Sequence, residues 1–259
     1  MVETKVHGVK RAEAERTKKE LDYAAQMEGY FSQATGSTTD KLNDFTKFVS
    51  RQSLSTFLFK WEIFKQVLEV QGSVVECGVR SGGGLFAFAH FSAILEPTNY
   101  QRKIIGFDTF EGFPAVARQD LATGRTSRHA HAGGFKIPGI REDLAEAVRL
   151  FDMNRAIGHI QKIELVAGDF NVMLPKYLEA NPHTVVSLLY LDFDLYKPTR
   201  TALDLLVPRI PKGGIIAFDE INHAEWPGET TALLETLGLR SLRLRRMPYQ
   251  SVPCYAVLE

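Results

Sequence analysis

LLYLDFDLYKPT, residues 188–199, opens as an apolar run and then carries two aspartates one residue apart, Asp192 and Asp194. A strand buried on both faces reads as continuous apolar sequence, so a pair of carboxylates at its end needs a reason. SVVECG (73–78), KIIGFDT (103–109), KIELVAGD (162–169) and GGIIAFDE (213–220) repeat the pattern, and the opening run extends to VVSLLYLDFD (185–194). Helical stretches separate these runs, which predicts a doubly wound, mostly parallel α/β sheet. LRLRRM (242–247) and CYAVLE (254–259), joined by PYQSVP, predict an antiparallel C-terminal edge hairpin. Each parallel strand ends in acid: Glu76, Asp108, Asp169, Asp192 with Asp194, and Asp219 with Glu220. Ligands of open α/β sheets bind beyond the carboxyl ends of the strands, so these acids are expected to line one crevice.

Composition narrows the chemistry. At 259 residues, 44% hydrophobic and 24% charged, the chain can bury a large core. Basic and acidic residues balance at 31 each, so no global positive field gathers nucleic acid. Two cysteines, Cys77 and Cys254, are too few for a disulfide framework or a cysteine zinc site, and a reducing cytoplasm is the expected compartment. MVETKVHGVKRAEAERTKKE lacks the apolar centre of a signal peptide, and no run is long enough to span a bilayer, so neither export nor a membrane is expected.

ECGVRSGGG (76–84) makes a glycine-rich turn from strand to helix, but it is neither G-x-G-x-x-G nor a P-loop. That argues against a phosphate-bearing cofactor and a nicotinamide dehydrogenase. Carboxylates at strand ends accept hydrogen bonds from ribose hydroxyls and amino groups, which suits a positively charged, phosphate-free cofactor. S-adenosylmethionine meets that description. Gly78 and Gly82 would let the backbone approach its methionine part, Asp108 with Thr109 beside it would face the ribose, and Asp169 with Phe170 the adenine. Asp192, Asp219 and Glu220 are hard oxygen ligands that suit magnesium or another divalent cation with an open position for a substrate hydroxyl. Asp192 could instead cap the following helix or pair with Lys197 or Arg200. Asp194, two residues on and expected on the same side as Asp192, is the candidate general base; His223 is the runner-up. His129 and His131 sit in a long connection, Pro114 to Gly139, that reads as a substrate loop or a solvated one.

VVECGVRSGGG, GFDTFEGFP, VAGDF, LDFDLYKPTRTAL and PKGGIIAFDE, in that order, resemble the macrocin O-methyltransferase family, sugar O-methyltransferases of antibiotic biosynthesis. The resemblance covers roughly residues 50–235. It implies a class I methyltransferase (Rossmann-like) fold, S-adenosylmethionine as donor and a divalent metal, usually magnesium. On this chain it implies donor contacts at Glu76, Gly78, Ser81 and Asp108, an adenine-side position at Asp169, metal ligands at Asp192 and Asp219, and an acid near the reacting hydroxyl at Asp194. Where the family reads Asp-Asp-Tyr this chain has Asp219-Glu220-Ile221, and the extra methylene of Glu220 shifts its oxygens as a third ligand.

The expected organisation is an N-terminal helical arm or lid over 1–50 and a methyltransferase domain over 51–259, in a homo-oligomer. The expected reaction is methylation of a sugar hydroxyl, such as a rhamnosyl group, on a glycosylated natural product. A catechol or phenol O-methyltransferase is the alternative within enzymes. A non-catalytic cofactor-binding module is the alternative outside them.

Overall fold

The computed structural model describes residues 17–122 and 126–259; the first sixteen residues of the expected N-terminal helical arm, 1–16, lie outside the described residues. The chain divides into two compact units, Met1–Leu58 and Phe59–Glu259, with the division inside helix α3 (Arg51–Gln66). In the first unit, α1 (Lys18–Gln33) and α2 (Thr38–Asn43) both start on capping boxes, Thr17 with Glu20 and Ser37 with Asp40. The Phe48 ring packs edge-on against Phe31 and tilted against Tyr30.

The second unit alternates strand and helix: β1 (Ser73–Cys77), α4 (Gly83–Leu95), β2 (Ile104–Asp108), α5 (Ile140–Met153), β3 (Ile163–Ala167), α6 (Phe170–Ala180), β4 (Val186–Leu191), α7 (Tyr196–Leu206), β5 (Ile215–Phe218), α8 (Gly228–Thr236) and β6 (Cys254–Val257). The strands form one sheet in the order β3-β2-β1-β4-β5-β6, parallel except for β6, which runs antiparallel beside β5. The expected parallel sheet with an antiparallel edge is therefore present. Of the outer hairpin arm, 242–247, only Arg245 pairs, through a single bridge to Tyr255.

Period-two alternation divides the core between the faces. Val74, Ile104, Leu188, Tyr190, Ile215 and Ala217 pack with Phe59, Ile63, Phe64, Phe88 and Leu144 from α3, α4 and α5. Val75, Ile105, Phe107, Leu189, Leu191, Ile216 and Phe218 pack with Phe170, Leu174, Leu203 and Leu233 from α6, α7 and α8. The order reverses between β1 and β4, where α4 leaves β1 and α7 leaves β4, so the strand ends of β1 and β4 open onto a topological switch point. Among the described residues, no helix is long and apolar enough to cross a membrane.

Candidate active site

The turns after β1 and β4 touch. Gly78 has φ +91°, and a Cβ there would lie 2.0 Å from the Asp192 carbonyl oxygen, so glycine is required both for the backbone conformation and for the close approach. The Asp192 N–H donates to the Cys77 carbonyl at 2.8 Å, which continues the β1–β4 ladder one residue beyond β4. Gly82, at φ +84°, starts α4 and packs on Leu144, and Ser81 beside it is exposed.

Beneath this turn Glu76 is buried, with Oε1 3.1 Å from the buried Lys60 ammonium. A Cβ on Gly84 would lie 1.8 Å from the same oxygen, so the first turn of α4 sits directly on the ion pair. Burial pushes the Glu76 carboxyl above the ordinary carboxylate range, and the Lys60 charge opposes that shift. The Lys60 ammonium also stands 3.2 Å from the centre of the Tyr190 ring, and the Tyr190 hydroxyl donates to Asp219 Oδ1 at 2.7 Å. One buried cation thus spans from the glycine turn to the end of β5.

Asp108 turns its carboxylate onto the loops: Oδ2 accepts the Arg80 N–H at 2.8 Å and Oδ1 the Phe110 N–H at 2.7 Å. Each oxygen has a second lone pair to offer. The Thr109 hydroxyl donates to the Gly112 carbonyl. Asp169 caps α6 by accepting the Asn171 N–H at 2.9 Å, and the Phe170 ring is buried between Phe107 and Phe193. That burial leaves little of the Phe170 ring to face an adenine.

The strand containing LLYLDFD is shorter than its apolar pattern: β4 stops at Leu191, and Asp194 has φ +62°. Alternation along a strand therefore does not set the direction of Asp194. Its N–H instead donates to the buried Glu229 carboxylate of α8, whose other oxygen accepts the Glu220 N–H at 3.0 Å. Burial, and next the Asp194 charge, push the Glu229 carboxyl well above its ordinary range. His223 Nδ1 lies 3.6 Å from Glu220 Oε2.

The β4–β5 register sets Leu191 opposite Phe218, so Asp192 and Asp219 follow on neighbouring strand ends. In donor chemistry and backbone register this set suits a hard divalent cation. In side-chain arrangement it does not: among the described residues no group of three or more His, Cys, Asp or Glu stands together to hold a metal ion. Asp219 is turned to Tyr190, and Glu220 to His223.

The long connection after β2 is anchored on the same side. Asp120 is buried, its Oδ1 accepts the Tyr196 N–H at the start of α7, and its Oδ2 accepts the Ala117 N–H. Burial raises its carboxyl above the usual range, and the Tyr196 N–H opposes this. Phe113 and Phe135 pack on Trp226 of the β5–α8 loop, His129 stacks on Phe135, and the Arg80 guanidinium lies 5.0 Å from the Phe135 ring. Sequence reasoning missed Lys60, Asp120, Tyr190 and Glu229. Only Lys60 leaves a signal, a cation beside Phe59 and Ile63 on the core-facing stripe of α3.

A family model described as macrocin O-methyltransferase matches residues 49–232. The chain belongs to the macrocin O-methyltransferase family. Within that family's chemistry it is 31% identical over 155 residues to the 8-demethyl-8-(2,3-dimethoxy-alpha-L-rhamnosyl)-tetracenomycin-C 4'-O-methyltransferase of Streptomyces olivaceus, over 58% of this chain. The match spans about half, 53%, of that relative's length. A crystal structure of CalS11, the calicheamicin methyltransferase, superposes with a TM-score of 0.88 at 35% identity over 93% of each chain. An apo structure of CalS11, described as a TDP-rhamnose 3'-O-methyltransferase, gives 0.81 at 31% identity, over 93% of this chain and 95% of that one. The macrocin O-methyltransferase family thus accounts for the doubly wound fold and the order of the strand-end motifs.

Proposed function

We propose that this protein methylates a sugar hydroxyl, such as one on a rhamnosyl group of a glycosylated natural product, with S-adenosylmethionine as donor. The observation that carries the reading is the contact between Gly78 and the Asp192 carbonyl: the glycine turn suited to a donor abuts the acid turn suited to a hydroxyl. S-adenosylmethionine supplies an electrophilic methyl group on a sulfonium. Gly78, Ser81 and Gly82 would offer the backbone for its methionine part, with Glu76 beneath them, Asp108 with Thr109 on the ribose side and Asp169 on the adenine side, where the buried Phe170 ring offers little. The acceptor hydroxyl loses its proton as the oxygen takes the methyl group; Asp194 or Asp192 is the proposed recipient, with His223 the next candidate.

A divalent cation, magnesium first, held by Asp192 and Asp219 with Glu220 as third ligand, belongs to the same proposal. The donor chemistry supports it, while the present turning of Asp219 and Glu220 does not, so no step is derived through a metal. Self-association is also proposed, supported by the exposed Tyr30, Phe31 and Phe45 rings of the first unit. That unit would serve as a lid or as a contact between copies.

Purified protein, donor and magnesium incubated with a rhamnoside should yield a singly methylated product by mass spectrometry. Chelation is expected to abolish turnover, and full activity in EDTA would remove the metal from the reading. Because CalS11 is described as acting on TDP-rhamnose, a nucleotide-activated sugar is the second acceptor to offer. Preference for a catechol over both sugars would overturn the assignment. Donor binding by calorimetry without turnover on any of them would revive the non-catalytic reading.

A further inference from the structure

The segment PGET, Pro227–Gly228–Glu229–Thr230, starts α8 at the meeting point of three connections. A Cβ on Gly228 would lie 2.4 Å from Asp120 Oδ1, 2.6 Å from the Tyr196 nitrogen and 2.9 Å from the Asp194 carbonyl. The helix start is therefore wedged between the long connection and the β4–α7 turn. Glu229, next in sequence, is 0% exposed. Its Oε1 accepts the Asp194 N–H at 3.3 Å and its Oε2 the Glu220 N–H at 3.0 Å. The Thr230 hydroxyl accepts the Asn222 N–H at 3.0 Å.

An acid in the first turn of a helix ordinarily complements the helix dipole or caps its own N–H groups. Glu229 stands in the first turn of α8, but its side-chain bonds reach beyond the helix. It spends both oxygens on the backbone of two other turns, one 35 residues away in sequence and one 9. Both turns carry candidate site acids, and both bend through the left-handed region at non-glycine residues, Asp194 at φ +62° and Asn222 at φ +66°. L-residues adopt that conformation at a cost and hold it only where surroundings enforce it. A buried carboxylate is a costly means of filling space, since an apolar side chain of similar volume packs as well. Its advantage here is two oxygens at a set separation, each accepting one N–H.

We infer that Glu229 is a positioning residue: one carboxylate that fixes the Asp194 turn against the Asp219–Glu220 turn by holding a backbone N–H of each. As a role in methyl transfer this rests on the function proposed above; as a clamp it does not. Glutamine at this position keeps the shape and one acceptor but turns an NH2 group towards the other N–H, so one of the two turns loses its hold. The donor side, at Gly78, Asp108 and Asp169, does not touch Glu229 through any of these bonds.

The test compares Glu229→Gln with Thr230→Val, which removes the Asn222 bond from the same helix turn but leaves both Glu229 bonds, to the Asp194 and Glu220 N–H groups, in place. Without any substrate, amide exchange by NMR should quicken at Asp194 or Glu220 in Glu229→Gln and at neither in Thr230→Val. Unchanged exchange at both amides overturns the clamp whatever acceptor the protein uses. With donor and acceptor, a misplacement of about 1 Å in a reacting group lowers rates on the order of 10²-fold, so kcat should fall by that order while the KM for the donor holds. An equal fall of kcat in Thr230→Val, or a Glu229→Gln kcat at the wild-type level, would reduce Glu229 to a stabilising residue. If wild type methylates no sugar, the proposed function fails, and the exchange result still decides the clamp.

Discussion

The two ends of the parallel sheet solve the problem of buried charge in opposite ways. At the amino ends of the strands the buried charges are cations resting on carbonyls. Arg102 donates to the Gly72, Val67 and Val70 carbonyls and to the Ser187 hydroxyl, and its Nε lies 2.7 Å from Glu96. Lys162 donates to the Asn99 carbonyl at 2.8 Å. At the carboxyl ends, carboxyl groups are held by backbone N–H groups: the partly buried Asp108 by Arg80 and Phe110, the buried Asp120 by Ala117 and Tyr196, and the buried Glu229 by Asp194 and Glu220. Parallel topology favours this division, because α4, α6 and α7 begin shortly past strand ends, and α8 after a longer loop, and bring positive helix termini there. A guanidinium has a fixed set of donors, and Arg102 uses them within the fold. A carboxylate holding one N–H per oxygen retains acceptor capacity. The amino end is saturated, whereas at the carboxyl end the partly buried Asp108 retains acceptor capacity.

Removing the saturated cation should give the largest effect. Arg102→Leu strands several buried carbonyls and takes the partner from Glu96, which should cost about 3–5 kcal/mol of folding stability in urea titrations. A loss no larger than that of a surface substitution would break the contrast between the two ends. Lys162 should respond in the opposite direction, because its burial is less well compensated. Desolvation lowers its pKa from 10.5 to about 8. The unfolded chain therefore binds the proton more tightly, and stability rises as pH climbs from about 8 to 10.5. At pH 7 that shift corresponds to at most roughly 3 kcal/mol of destabilisation before solvent screening, and Lys162→Met forfeits a hydrogen bond worth about 1 kcal/mol, so a net gain on the order of 1 kcal/mol is expected. Thermal unfolding of both proteins at pH 7 and pH 10 should show the gain shrinking at the higher pH. The smallest effect belongs to the carboxyl end. Tyr190→Phe removes one hydrogen bond to Asp219 and should cost about 1 kcal/mol by the same unfolding assay. A cost matching that of Arg102→Leu would mean that the carboxyl end is as tightly built as the amino end.

Much of this organisation is legible in the residues. Apolar runs bounded by acids place β1 to β5, and the motif order from VVECGVRSGGG to PKGGIIAFDE carries the family. The bend at Asp194 is not legible, because the apolar and acidic letters continue smoothly past Leu191 while the chain has already left the sheet. Asp120 and Glu229 look like any loop acid and any first-turn acid, since their partners are backbone groups contributed by distant turns. The outer C-terminal arm reads as a strand from its alternation, yet only Arg245 finds a partner in Tyr255.

Sequence alone determined the fold class, the family and the strand ends that carry the acids, because periodicity and local motif order are properties of neighbouring residues. Which acid is held by what was decided only in the tertiary structure. The Lys60–Tyr190–Asp219 line and the Glu229 clamp join residues far apart in sequence, and burial raises the proton affinity of the Glu229 carboxyl.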